Sequence, residues 1–233
     1  MKIRDKLYLI SGGSYGELGN AYLIKTKNGY LMVDSSKPDA LTTIRNNLAY
    51  WKINEEEILA VLLTHGHDDH AGCAAYFQSR GAKLYVGADN EMLQKGDFGP
   101  CSPFTNHVAP PCVADIILKE DQNIRINDLQ ISVFPMPGHT DGTILYYAKV
   151  DDDRILFTGD MFFVEGETGT DIRTGWKGDL SYNAEKLGMS FQKLWNLNLD
   201  PNIILGGHGI PLINNNAKEA IRAAYKYFLL NNR

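Results

Sequence analysis

The sequence predicts an α/β domain, and three observations carry that prediction. Short apolar runs alternate with segments of helical period along the chain. The runs fall into two β-rich halves, each of which also contributes helices. At least one run, "ILAVLLT" (Ile58 to Thr64), is continuous rather than alternating, the pattern of a strand covered on both faces. A length of 233 residues, 44% hydrophobic and 22% charged, suits one folded domain over residues 1–233 with a substantial core.

In chain order, "NAYLIKTKNGYLMVDSS" (Asn20 to Ser36) reads as a hairpin, because two β-rich runs flank the turn signal Asn28-Gly29. "PDALTTIRNNLAYW" has helical periodicity with Pro38 near its start. After the strand at Ile58, "HAGCAAYFQSRG" reads as a helix closed by Gly81, "AKLYVG" as a strand and "ADNEMLQK" as a short helix. Residues 96–114 carry four prolines and read as a long loop, a candidate lid. Strands return at "LQISVFPMP", "GTILYYAKV" and "DRILFTGD", with Asp151 to Asp153 as a turn. "AEKLGMSFQKLWNL" is a helix, "NIILGG" a strand and "NAKEAIRAAYKYFLL" a terminal helix.

Composition narrows the function classes. A formal charge of -5 without a Lys/Arg run argues against nucleic acid as a partner. No run approaches the ~20 apolar residues of a membrane span, and the first residues lack the apolar core of a secretory signal. The three cysteines, Cys73, Cys101 and Cys112, make no disulfide framework, so a reducing cytoplasm is the expected compartment. A Cys101–Cys112 bridge in an oxidising compartment stays open, as does a homodimer.

The chemistry concentrates in "LLTHGHDDHAG", where three of the six histidines and two aspartates follow an apolar run. His65, His67, Asp69 and His70 stand where a buried strand turns into a helix, a turn that aims neighbouring side chains in different directions. Imidazole with carboxylate suits zinc, and also iron or manganese. Three further ligand-type residues sit at strand ends or the turns beside them: His139 in "MPGHTDGT", Asp160 in "ILFTGD" and His208 in "ILGGHGIP". Any one of these alone reads as a loop residue or helix cap. Together with the cluster they read as a metal site.

These motifs, in the order "MVDSS", "THGHDDHAG", "PGHTDG", "LFTGD" and "GGHG", resemble the metallo-β-lactamase-fold hydrolases over essentially the whole chain. The resemblance implies a four-layer αββα sandwich, two mixed sheets with helices on the outer faces and metals at one sheet edge. It implies that His65, His67 and His139 hold one divalent ion, that Asp69, His70 and His208 hold a second, and that Asp160 bridges them. Two divalent metal ions, zinc first and iron or manganese as alternatives, would then lower the pKa of a bridging water. The resulting hydroxide would attack the carbonyl of a small-molecule ester, thioester or lactone. Asp69 and Asp160 are the catalytic candidates, Asp69 by orienting the nucleophile or carrying a proton. Asp34 is implied to sit beside the metal loops, with an ordinary turn aspartate as the competing reading.

Departures narrow the branch. His67 is not Glu, against the flavin-partnered diiron reductases, and Asp160 counts against the antibiotic-degrading enzymes. Phe163 stands where acyl-homoserine lactonases resembling this chain place a tyrosine. "LFTGDMFFVEGETG" is similar to the glyoxalase II-like hydroxyacylglutathione hydrolases, but "EGETG" replaces their "GCGR"-like turn. Only 25 residues follow His208, too few for their helical domain, so glutathione as the thiol is doubtful. An iron-dependent persulfide dioxygenase or a small-substrate phosphodiesterase is the alternative. Phe162, Phe163, Trp176, Tyr182 and His107 are candidates for lining a substrate cleft, each weighed against packing or a surface loop. Cys73 is expected to be buried and inert.

Overall fold

The computed structural model describes residues 1–13, 18–96, 108–165, 171–175, 177, 181–213 and 217–232. The first half opens with β1 (Lys2–Arg4) and β2 (Leu7–Ser11), followed by the expected hairpin of β3 (Ala21–Thr26) and β4 (Gly29–Val33). Thr26 pairs with Gly29, so Lys27 and Asn28 form the hairpin loop. After one 3-10 turn at Pro38–Ala40 come α1 (Leu41–Tyr50), β5 (Ile58–Leu62), α2 (Asp68–Ala71), α3 (Ala74–Gln78), β6 (Lys83–Val86), α4 (Asn90–Lys95) and β7 (Ile116–Ile117). The single helix expected after the histidine cluster is therefore two. It breaks at Gly72-Cys73: Gly72 keeps helical angles, and Cys73, whose Sγ donates to the Lys37 carbonyl, leaves them.

The second half holds β8 (Gln122–Ile126), β9 (Leu129–Pro135), β10 (Ile144–Val150), β11 (Asp153–Gly159), β12 (Phe162–Glu165) and β13 (Asp171–Thr174). It ends with α5 (Ala184–Asn196), β14 (Ile203–Gly206), β15 (Leu212–Ile213) and α6 (Ala217–Asn231). Asp153 belongs to β11, which leaves Asp151 and Asp152 as the turn. The short strands β1, β7, β13 and β15 carry too few residues for a periodic signal.

The strands form one seven-stranded sheet in order β1 to β7 and one six-stranded sheet in order β15-β14-β11-β10-β9-β8, with β12-β13 apart as a pair. Both large sheets are mixed. β4, β5, β6 and β7 run parallel, as do β11 and β14, while the remaining neighbours are antiparallel.

Successive residues of one strand serve different layers. Tyr22, Ile24, Leu62, Tyr146, Phe157 and Leu205 meet between the two sheets. Leu23, Val61 and Leu63 face α1 and α3 through Ile44, Leu48 and Phe77. Leu145, Leu156 and Ile204 face α5 and α6 through Leu187, Phe191 and Phe228. Three apolar layers between four layers of structure give the αββα sandwich, and they explain why β5 reads as a continuous apolar run.

This topology positions the site. Strands β4, β5 and β6 end at one edge of the first sheet, and β9, β11 and β14 end together at one edge of the second. Hydrogen bonds stitch those edges together: Ile144 N to Thr64 O at 2.7 Å, Tyr146 OH to Leu63 O at 2.8 Å and Tyr22 OH to Gly206 O at 2.8 Å. Among the described residues, no helix is long and apolar enough to cross a membrane.

Candidate metal centre

Each candidate ligand follows the C-terminal end of a strand at the stitched edge. His65, His67, Asp69 and His70 come after β5, His139 after β9, Asp160 directly after β11 and His208 after β14. The structure brings all seven together. His139 Nε2 lies 3.2 Å from His65 Nε2 and 3.0 Å from His67 Nδ1. His208 Nε2 lies 3.3 Å from His70 Nε2 and 3.1 Å from Asp69 Oδ2. Asp160 faces both trios, with Oδ1 at 3.2 Å from His70 Nε2 and Oδ2 at 3.4 Å from His208 Nε2 and 3.6 Å from His139 Nε2.

Residues around the donors decide which ring nitrogens face inward. Thr64 Oγ1 donates to Asp34 Oδ2 at 2.8 Å, so toward His65 Nδ1, 3.0 Å away, it accepts. That leaves the His65 lone pair on Nε2. Ser181 Oγ donates to the His139 carbonyl at 2.9 Å and accepts toward His67 Nε2 at 3.3 Å, which leaves the His67 lone pair on Nδ1. His70 Nδ1 meets Asp34 Oδ2 at 3.1 Å, so its lone pair is on Nε2. Asp34 is thus a partner of both the strand end and a ligand, bound by Thr64 N at 2.7 Å as well.

With these tautomers, the lone pairs of His65 and His67 both point at His139 Nε2, which has at most one proton to share. A cation among the three satisfies all three facing nitrogens, and a mixed imidazole–carboxylate set is the donor chemistry of a divalent metal. Electrostatics agree. Burial pushes Asp69 and Asp160 up, but the facing His70 and His208 rings outweigh it and hold both carboxyls well below the usual range. Burial lowers His208, yet Asp160 and Asp69 bring it to about 9. His65, buried beside His70, His139 and His67, is pushed well below its ordinary value. The carboxylates thus attract positive charge into the site.

A family profile described as the Metallo-beta-lactamase superfamily matches residues 15–208. The chain belongs to the metallo-beta-lactamase superfamily. Its histidine and aspartate clusters fit the metal site of that superfamily of metallo-hydrolases. Among curated relatives, the chain is 28% identical over 156 residues to the probable metallo-hydrolase YybB of Bacillus subtilis, covering 67% of this chain and 66% of that protein. It is 35% identical over 107 residues to the hydroxyacylglutathione hydrolase of Enterobacter sp., covering 46% of this chain and 34% of that enzyme. Among solved structures, the FEZ-1 metallo-beta-lactamase of Legionella gormanii superposes with a TM-score of 0.75 at 19% identity, covering 99% of this chain and 94% of that one. That last likeness is one of fold.

The substrate-lining candidates fare unevenly. Phe162 is fully buried and packs on Phe191 with ring centroids 6.2 Å apart, so it belongs to the core rather than to a cleft wall. Phe163 sets its ring edge-to-face against His208 at 5.3 Å. The Tyr182 hydroxyl donates to Asn232 Oδ1 at 3.1 Å, just beyond α6. His107, Trp176, Cys101 and most of the Pro-rich loop lie outside the described residues. Cys73 is buried, which raises its thiol to about 12. Thr64, Asp89 and Ser181 are the site residues that motif reading missed. Thr64 adjoins the cluster and was within reach; Ser181 and Asp89 have no local signature.

Proposed function

We propose that this chain is a dinuclear metallohydrolase, zinc being the first candidate metal, that cleaves an ester, thioester or lactone of a small molecule in the cytoplasm. The observation that supports it is the convergence of two donor trios, His65/His67/His139 and Asp69/His70/His208, on one shared carboxylate, Asp160. Two divalent cations held there would supply an activated water and polarise a carbonyl oxygen. Asp160 reaches both trios, Oδ1 facing His70 and Oδ2 facing His208 and His139, and brings negative charge to offset the repulsion between cations. Asp69, the most exposed of the seven at 23% of its side chain, opens toward solvent and is the group placed to orient the nucleophile and carry a proton. Phe163 backs His208 with an apolar ring. The similarity to hydroxyacylglutathione hydrolase favours a thioester among the carbonyl substrates.

The test is elemental analysis of protein purified without added metal, then a panel of ester, thioester, lactone and phosphodiester substrates on the same material. Close to two equivalents of metal with carbonyl-ester or thioester turnover is the expected result. One equivalent of iron, with oxygen consumed on a persulfide, would replace this reading with a dioxygenase. Turnover of the phosphodiester alone would move the substrate class.

A further inference from the structure

Asp89 stands at the start of α4, where an aspartate ordinarily accepts from the helix's own first N–H groups. Its side chain makes no such cap. It turns instead into the protein, where it is 5% exposed, and reaches two loops that are 74 residues apart in sequence, counted from His65 to His139. Oδ2 accepts from Gly66 N at 2.8 Å and from Thr140 Oγ1 at 2.7 Å, and Oδ1 accepts from Gly142 N at 2.8 Å. Gly66 lies between His65 and His67, and Thr140 follows His139, so one carboxylate holds the neighbour of every ligand in the first trio.

The fit is close on both sides. A Cβ at Gly66 would meet Asp89 Cβ at 2.6 Å, and one at Gly142 would meet Asp89 Cγ at 2.4 Å, so both loops need glycine where they touch Asp89. All three groups are donors, so only an acceptor on both oxygens satisfies them. Thr140 N donates in turn to Thr143 Oγ1 at 3.0 Å, which closes the His139 turn on itself.

We propose that Asp89 is a positioning residue for the His65–His67–His139 metal site, its carboxylate locking the two ligand loops in register. The inference rests on the metallohydrolase reading above. The hydrogen bonds of Asp89 all go to the loops of the first trio, so its effect should fall on that site.

The experiment isolates each site. In a His208→Ala background the first site is kept, and in a His139→Ala background the second is kept. Zinc affinity is measured in each, with and without Asp89→Asn, by competition with a chromophoric chelator. Asparagine keeps the shape but turns an N–H2 toward a donor and removes the charge. The expected result is a weakening of about 10- to 100-fold in the His208→Ala background, the range for losing an outer partner of a ligand, and less than about twofold in the other. Equal weakening of both sites, or none in either, would overturn the proposal. Thr140→Val, which keeps the carboxylate and removes one donor, serves if Asp89→Asn fails to fold; it should weaken the same site alone by a few-fold, and an unchanged affinity sinks the idea. Wild-type protein that binds no zinc removes both this inference and the hydrolase reading. Wild type that binds zinc while Asp89→Asn is indifferent removes this inference alone.

Discussion

At the residue scale, the site works by opposing two costs. Seven polar side chains are drawn to a sheet edge with little water, and their charges and lone pairs are compensated by one another or by a cation. Asp160 is the carboxylate that lies against both trios. Asp160→Asn keeps the shape and removes the charge, and an amide is a poor bridge. We expect kcat to fall on the order of 10² or more, with one metal held less tightly and the thermal transition retained; near-wild-type turnover with both metals bound would remove Asp160 from the bridging role. The metal-free protein should show a pH signature of its own. His70 and His208 are raised in the folded state, His208 to about 9 from an ordinary 6.5. A raised histidine contributes stability that is fully present below its unfolded pKa and lost as pH rises through its folded one. The melting temperature of metal-free protein should therefore drop between about pH 6.5 and 9. Metal-loaded protein should lack that drop, because the cation takes the place of the protons. Parallel melting curves for the two forms over that range check it.

At the element scale, helices matter here for what their ends hold. The N-terminus of α5 is tied to the His139 turn, since Asn183 N donates to the Gly138 carbonyl at 2.7 Å while the Asn183 side chain accepts from Lys186 N at 3.0 Å. Asn183→Ala removes the side-chain cap and leaves the backbone tie. It should cost about 1 kcal/mol in denaturant unfolding without changing metal content. A loss of metal would mean that the cap, not only the backbone, holds the turn. The helix after the histidine cluster shows the same economy. Where α2 ends, Cys73 leaves helical geometry and its Sγ donates to the Lys37 carbonyl.

At the scale of the whole molecule, stability and function are separable, because three apolar layers lie away from the metal edge. Phe157 is nearly fully buried between the sheets, where its ring meets Tyr22 edge-on at 5.8 Å. Phe157→Ala should cost about 3–5 kcal/mol, as for other buried aromatic truncations. Chelation should instead lower the melting temperature of the wild type by the binding linkage alone and leave its far-ultraviolet circular dichroism intact. Loss of that signal on chelation would show that the metals hold the fold itself.

Much of this was legible from the residues in order. The hairpin at Asn28-Gly29 is a local turn preference, the burial of β5 is visible in its unbroken apolar run, and the cluster from His65 to His70, taken with His139, Asp160 and His208, reads as a metal site. His139, Asp160 and His208 were legible because each ends or follows an apolar strand. What local sequence does not contain is the partner brought across the fold. Asp89 looks like a helix cap until β6 is seen ending beside β5, at the edge where the β9–β10 turn is stitched to Thr64. Ser181 looks like a loop serine until the chain before α5 returns to His67. Phe162 and Phe163 are neighbours of one chemical type, yet alternation along β12 sends one into the core and the other against His208. Local preference and periodicity act over a few residues, so they set the elements and the ligands at their ends. The pairing of strand edges over a hundred residues and more, as between Tyr22 and Gly206, is decided only when the layers pack.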